Sequence, residues 1–144
     1  MKTLRPAPRP EDRLIAQAIR KAERRTSGEI RVFVSETESG DPSVEAAREF
    51  ERLQMRRTPL RNAVLLHFST ASHRLTVIGD EGIHLRCGPR FWAAITRETD
   101  PLLRASRTTE AIVAAIEAAG TELARVFPKH DLDRNDLPDT VVRS

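Results

Sequence analysis

Apolar positions recur along this chain with two periods. Leu14, Ile15, Ala18, Ile19 and Ala22 repeat at helical spacing, which predicts a helix over about Glu11–Thr26. Glu11 and Asp12 suit its start and Arg24 and Arg25 its end, and Gly28 is the expected stop. Glu29–Glu36 then predicts a strand, with Ile30, Val32 and Val34 on one face and Phe33 on the other. Both faces of its middle are apolar, as in a strand covered on both sides. Asp41 and Pro42 form a helix start, and a second helix is expected over about Pro42–Arg56, with Val44, Ala47, Phe50 and Leu53 inward. Asn62–Ser69 carries the apolar run Ala63–Leu66 and predicts a second strand, again buried on both faces. Thr70–His73 is a turn and Arg74–Ile78 a third strand. Gly79–Gly82 reads as a turn, with a short extended piece at Ile83–Leu85. A helix over about Pro89–Arg97 carries Phe91, Trp92 and Ile95, and Asp100-Pro101 is expected to interrupt it. The final helix, about Thr109–Phe127, buries Ile112, Ala115, Ile116, Ala119, Leu123 and Val126.

The first strand, second helix and second strand form a crossover unit, so those strands should be parallel; strands two and three make an antiparallel hairpin. The predicted fold is α/β: a three-layer α/β/α sandwich with a small mixed sheet of about four strands and helices on both faces. Residues 1–10, punctuated by Pro6, Pro8 and Pro10, read as a flexible tail, residues 11–128 as one domain, and residues 129–144 as a polar tail.

A length of 144 residues suffices for one domain to bury a core without staples. Apolar residues make up 39% and charged residues 31%, a globular composition. The sequence pI of about 9.7 suggests nucleic acid at first sight. The basic excess is confined to residues 1–61, with fourteen basic against ten acidic side chains, and it vanishes afterwards. Nucleic acid is therefore not an expected partner. Cys87 is the single cysteine, which excludes an intramolecular disulfide and a cysteine-based zinc site. The N-terminal stretch has no apolar run behind its basic residues, and no segment approaches a membrane span, so a cytoplasmic location is expected.

Several blocks in order carry a family resemblance. They are Ile15–Glu23, Thr26–Val32, Arg61–Leu66, Ile78–Ile83, Phe91-Trp92, Phe127-Pro128 and Asn135–Asp139. Together they resemble the short branch of the TPM domain family, named for thylakoid, photosystem-repair and acetylcholine-receptor-associated members. The resemblance implies an α/β/α sandwich. It also implies relatives that look like acid phosphatases, a link between calcium and the plant branch, and many relatives without defined chemistry. Membrane-anchored relatives carry a signal sequence and a later span, and this chain shows neither.

The predicted topology brings three blocks to one end of the sheet: Thr26–Glu29, Arg61-Asn62 and Gly79–His84. Glu29, Asn62, Gly79 and Gly82 are the candidate binding residues. Asp80 and Glu81 are adjacent acids in a Gly-bounded turn, a pattern that can hold a hard cation; with Asp136 and Asp139 they are the candidate metal ligands. Asp80 and His84 are the candidate catalytic residues. A divalent cation such as calcium is the cofactor these residues suggest. Each block also has a structural role available: Gly28 as a cap, Gly79 and Gly82 as turn formers, Asn62 as a bond to loop backbone. Other chemistries are excluded. Ala93 stands six residues after Cys87, where a cysteine phosphatase needs Arg, and Asp131–Asn135 lacks the Gly and Glu of a calcium loop. No residue set supplies both a nucleophile and its base. The expected function is an interaction or scaffolding module with a protein partner, one associated with a membrane. The alternative is a metal-dependent acid phosphatase of low activity.

Overall fold

The structure is a computed structural model describing residues 9–37, 40–129 and 141–143. Its elements run α1 (Asp12–Glu23), β1 (Glu29–Ser35), α2 (Pro42–Arg52), a 3₁₀ turn at Met55–Arg57, β2 (Ala63–Ser69) and β3 (Arg74–Gly79). They continue with α3 (Glu81–Arg86), α4 (Arg90–Arg104), α5 (Thr108–Val126) and β4 (Val141–Arg143). The sheet order is β3-β2-β1-β4. β1 pairs in parallel with β2, Glu29 opposite Ala63 through Ser35 opposite Ser69, and in parallel with β4, Val32 opposite Val141. β2 and β3 are antiparallel. This is a mixed α/β fold with a four-stranded mixed sheet and five helices packed around it.

Every residue of β1 and β2 is buried. On one face, Ile30, Val32, Val34, Val64, Leu66 and Phe68 meet α1, α4 and α5 through Ile15, Ile19, Phe91, Ile95, Ile112, Ile116 and Leu123. Phe68, Phe91 and Phe127 are among the fully buried side chains, each contributing about 1.5–3 kcal/mol of transfer free energy. α1 lies close along α5 because Gly120 carries no side chain; a Cβ there would stand 2.9 Å from that of Ala22. The other face is smaller: Phe33, Ala63 and Leu65 pack under Phe50 of α2 and under Met55.

Four local expectations are corrected. The second helix ends at Arg52 and buries Ala46 and Phe50, leaving Val44 54% exposed. Gln54 at φ +56° turns the chain there, so Met55, not Ala47, fills the space over β2. Ile83–Leu85 is helical: Asp80 caps α3, and Ile83 and Cys87, four residues apart, both face the main core. Pro101 does not break α4, which runs through it to Arg104 and closes with Ser106 at φ +58°. Arg107 N–H then donates to Leu102 O (2.9 Å) and Ser106 N–H to Leu103 O (3.1 Å), the paired bonds of a Schellman end. Gly28 is not a left-handed cap, since positive φ among the described glycines occurs at Gly40 and Gly88. It sits instead between Leu123 and the Asn62 carbonyl.

The fourth strand comes from the segment read as a polar tail. Arg143 holds it, donating to the Asp12 carboxylate, to Glu36 Oε1 (3.2 Å) and to Pro10 O (2.8 Å).

Pro101 is exposed and its helix is otherwise regular. A proline in a helix interior costs roughly 3 kcal/mol, offset by about 0.4–1 kcal/mol of lost freedom in the unfolded chain. Pro101→Ala should therefore stabilise the fold by about 2–2.6 kcal/mol, read as a higher urea midpoint with unchanged slope; an unchanged or lower midpoint contradicts it.

Candidate functional site

The three sequence blocks meet at the amino-terminal ends of β1 and β2. Glu29 N–H donates to Asn62 O (3.4 Å), and the Asn62 amide donates to Ser27 Oγ (3.3 Å). Asp80 N–H donates to Ala63 O (3.0 Å) and Gly82 N–H to Arg61 O (2.8 Å). A Cβ on Gly82 would lie 2.3 Å from Leu60 O and 2.6 Å from Arg61 O, so only glycine allows α3 to approach that loop. Gly79 is backed by Trp92 and Ile83. Thr26 ties in the end of α5, its hydroxyl donating to Phe127 O (2.5 Å) and accepting from Gly28 N–H (3.0 Å). Glu23, which the sequence did not single out, accepts from Ile30 N–H (2.8 Å) and fastens α1 to β1.

Asp80 is the centre of this junction. Its side chain is fully buried. Arg61 donates to both carboxylate oxygens, Nε at 2.7 Å and Nη2 at 3.0 Å, and Arg56 Nη1 lies 3.5 Å away. The same carboxylate accepts from Glu81 N–H (2.7 Å), capping α3. The hydrogen bond to Asp80 raises the Arg61 pKa above the ordinary arginine value. Arg61 is held in place by a backbone at φ +52°. The carboxylate is thus committed to two guanidiniums and a helix end. Glu81 is exposed, with Arg61 Nη1 3.7 Å from it. His84 is turned away onto Trp92, ring centroids 4.4 Å apart, while the Trp92 indole donates to Val77 O (3.1 Å). Asp136 and Asp139 lie outside the described residues. Among the described residues no group of three His, Cys, Asp or Glu could hold a metal ion.

The face of the sheet under α2 carries polar groups, among them His67, which its place inside the strand already marks as packed, and Arg31, which the sequence reading did not single out. His67, fully buried, places Nε2 2.7 Å from Glu45 Oε1 and stacks on Phe33 at 5.5 Å. Its Nδ1 is buried without a hydrogen-bond partner. Arg31 is 8% exposed and its Nε is likewise unpartnered. Polar residues at alternate positions of an otherwise apolar strand were the signal for both. Glu45 and Ser69 also line a small cleft of about 130 Å³ at the carboxyl ends of β1 and β2, the end where open parallel sheets usually bind ligands.

Comparison with known proteins adds to this geometry. The TPM domain family matches residues 4–122. The chain belongs to the TPM domain family. This TPM domain is similar in structure to BA42, a protein of the psychrophilic bacterium Bizionia argentinensis. The identity is 32%, the match covers 92% of each chain, and the TM-score is 0.86. It is also similar to the N-terminal domain of a protein from P. gingivalis, at 16% identity and a TM-score of 0.60, over 79% of this chain and 75% of that one. The second likeness is one of fold alone. No curated protein matches the chain. No described helix of this TPM domain is long and apolar enough to cross a membrane.

Two predictions follow from the buried groups of this TPM domain. Asp80→Ala removes a helix cap worth about 1 kcal/mol and leaves Arg61 without its carboxylate. The melting temperature should fall by at least roughly 4 °C; an unchanged value would mean that the junction is not structural. Burial pushes the Cys87 thiol up from its ordinary value, so the thiolate is scarce in the folded protein. A raised folded-state value makes folding stability fall as pH climbs past the unfolded thiol, near ~8.5. A disulfide reagent at pH of about 8 should label Cys87 far more slowly than the urea-unfolded chain; equal rates would contradict this.

Proposed function

We propose that this TPM domain is an interaction module that receives an amphipathic, acidic segment of a partner protein. The observation that carries this is a crevice of about 610 Å³ between α1 and α5. Its apolar lining is Leu14, Ala18, Leu102, Val113 and Ala114, and its charged lining is Lys21, Arg24, Glu110 and Glu117. Neither cation makes an ion pair among the described residues, whereas Glu110 of the same lining is held by Arg107 at 2.6 Å. A partner helix with an apolar stripe and acidic flanks satisfies both features. The commitment of Asp80 to Arg61, Arg56 and the α3 cap supports the same reading over metal-dependent ester hydrolysis, since a carboxylate so engaged is a poor ligand for an added cation. The reading has the module act in the cytoplasm beside a membrane-associated partner. The resembling membrane-anchored proteins carry their own span, and no described helix here is able to form one.

The test is a photo-crosslinking amino acid at Val113 in living cells. A single partner adduct is expected, lost on combining Lys21→Glu with Arg24→Glu at unchanged melting temperature. Absence of an adduct, an adduct indifferent to charge reversal, or an adduct only with a second copy of this chain overturns the proposal.

A further inference from the structure

The end of the sheet where β1 and β2 begin presents an outer surface beyond the buried Asp80 junction. Among the described residues, the large apolar side chains left exposed are Leu14, Val44, Leu60 and Leu85. Two of them, Leu60 at 49% and Leu85 at 76%, stand at this end. Leu60 lies in the loop before β2, and Leu85 lies in α3, which follows β3. The two segments are in contact: Gly82 lets α3 close on the carbonyls of Leu60 and Arg61, and Gly82 N–H donates to Arg61 O (2.8 Å). Leu85 and Arg86 come three and four residues after Gly82, so they lie on the same side of α3.

Cations surround the two leucines. Arg86 lies over the Phe127 ring, 4.7 Å from its centroid. Phe127 O accepts from Thr26 Oγ1 (2.5 Å) and from Ser27 N–H (3.0 Å), and Thr26 pairs with Pro128. These contacts gather Arg25, Arg86 and Lys129 at one end of the fold, from the ends of α1, α3 and α5. All three are exposed, and none makes an ion pair among the described residues. The carboxylates at this end are already engaged or buried. Asp80 is held by Arg61 (2.7 Å), Glu81 lies 3.7 Å from the same guanidinium, and Glu51 is paired with Arg56 (2.6 Å). Glu122 lies against Arg90 and Arg125, and Glu23 and Glu29 are buried. The acids that face water here are Glu51 and Glu81, fewer than the exposed cations.

We propose that this end of the domain docks on an anionic lipid surface, with Leu60 and Leu85 entering the interface and Arg25, Arg86 and Lys129 meeting lipid phosphates. Exposed leucines flanked by cations match the layering of a bilayer surface, where apolar side chains sink below the phosphates and cations stay level with them. The guanidiniums can donate parallel hydrogen bonds to phosphate oxygens. A soluble polyanion such as duplex nucleic acid would use the cations and leave both leucines in water. The surface includes neither Lys21 nor Val113, and it stands whether or not the partner proposal for the α1–α5 crevice does.

The test is co-sedimentation of the full chain with phosphatidylcholine vesicles, with and without phosphatidylserine. Binding is expected only where phosphatidylserine is present, and it should weaken as salt rises, because the cations are exposed. Arg25→Gln, Arg86→Gln and Lys129→Gln together should weaken binding about a hundredfold. Arg25→Gln with Lys129→Gln, which keeps the Arg86–Phe127 contact, should weaken it roughly thirtyfold. Leu60→Ser with Leu85→Ser, at unchanged charge, should weaken it at least about tenfold. These positions are exposed, so melting temperatures should match that of the parent chain. Binding to phosphatidylcholine alone, binding undiminished in the cation variants, or no binding overturns the proposal. A loss in the cation variants with none in the leucine variant, together with salt-sensitive binding of duplex DNA, assigns the surface to a soluble polyanion and overturns it as well.

Discussion

The structure depends on a parallel ladder, β1 against β2, that is buried on both faces. Seven residue pairs, Glu29–Ala63 through Ser35–Ser69, are all buried. Such a ladder has to be covered above and below. The crossover through α2 supplies one cover, and α1, α4 and α5 supply the other. The two covers are unequal. Three helices make one side a continuous apolar core, while a single helix of eleven residues closes the other. Polar residues of β1 and β2 collect on that thinner side: Glu29, Arg31, Ser35, His67 and Ser69. The buried polar groups of β1 and β2 therefore lie under α2.

The end where β1 and β2 begin is a structural junction. Asp80 joins the loop before β2, the end of β3 and the start of α3 through one carboxylate with donors on all sides. Glu23 and Thr26 perform the same service for α1 and α5. Buried charges of this kind specify how elements meet, because removing one partner strands the other.

Much of the fold was legible in the chain. Alternation and apolar runs marked β1, β2 and β3, and the 3.6-residue period marked α1 and α5, because burial on a regular element imposes its own period. The convergence of the Thr26, Arg61 and Gly79 blocks was legible too, from strand direction alone. α3 was not: a six-residue helix has too little period to read, and its signal was Asp80 as a cap. The course of α4 through Pro101 was hidden because tertiary packing of Phe91 and Ile95 outweighs one proline. β4 rests on three residues and on Arg143 reaching Asp12 and Glu36, contacts more than a hundred residues apart in the chain.

The sequence by itself determined the layers, the parallel pairing and the residues that gather at the start of the ladder, because these follow from periodicity and connection length. Only the tertiary structure decided what those residues do there. Whether a carboxylate is open to a ligand or locked by arginines depends on distances between side chains from separate elements. Asp80 meets Arg61 and Arg56, and His84 lies over Trp92. Arg31 meets no described carboxylate. None of these relations has a signature in local order, since each is set by how α2, α3 and the sheet close on one another.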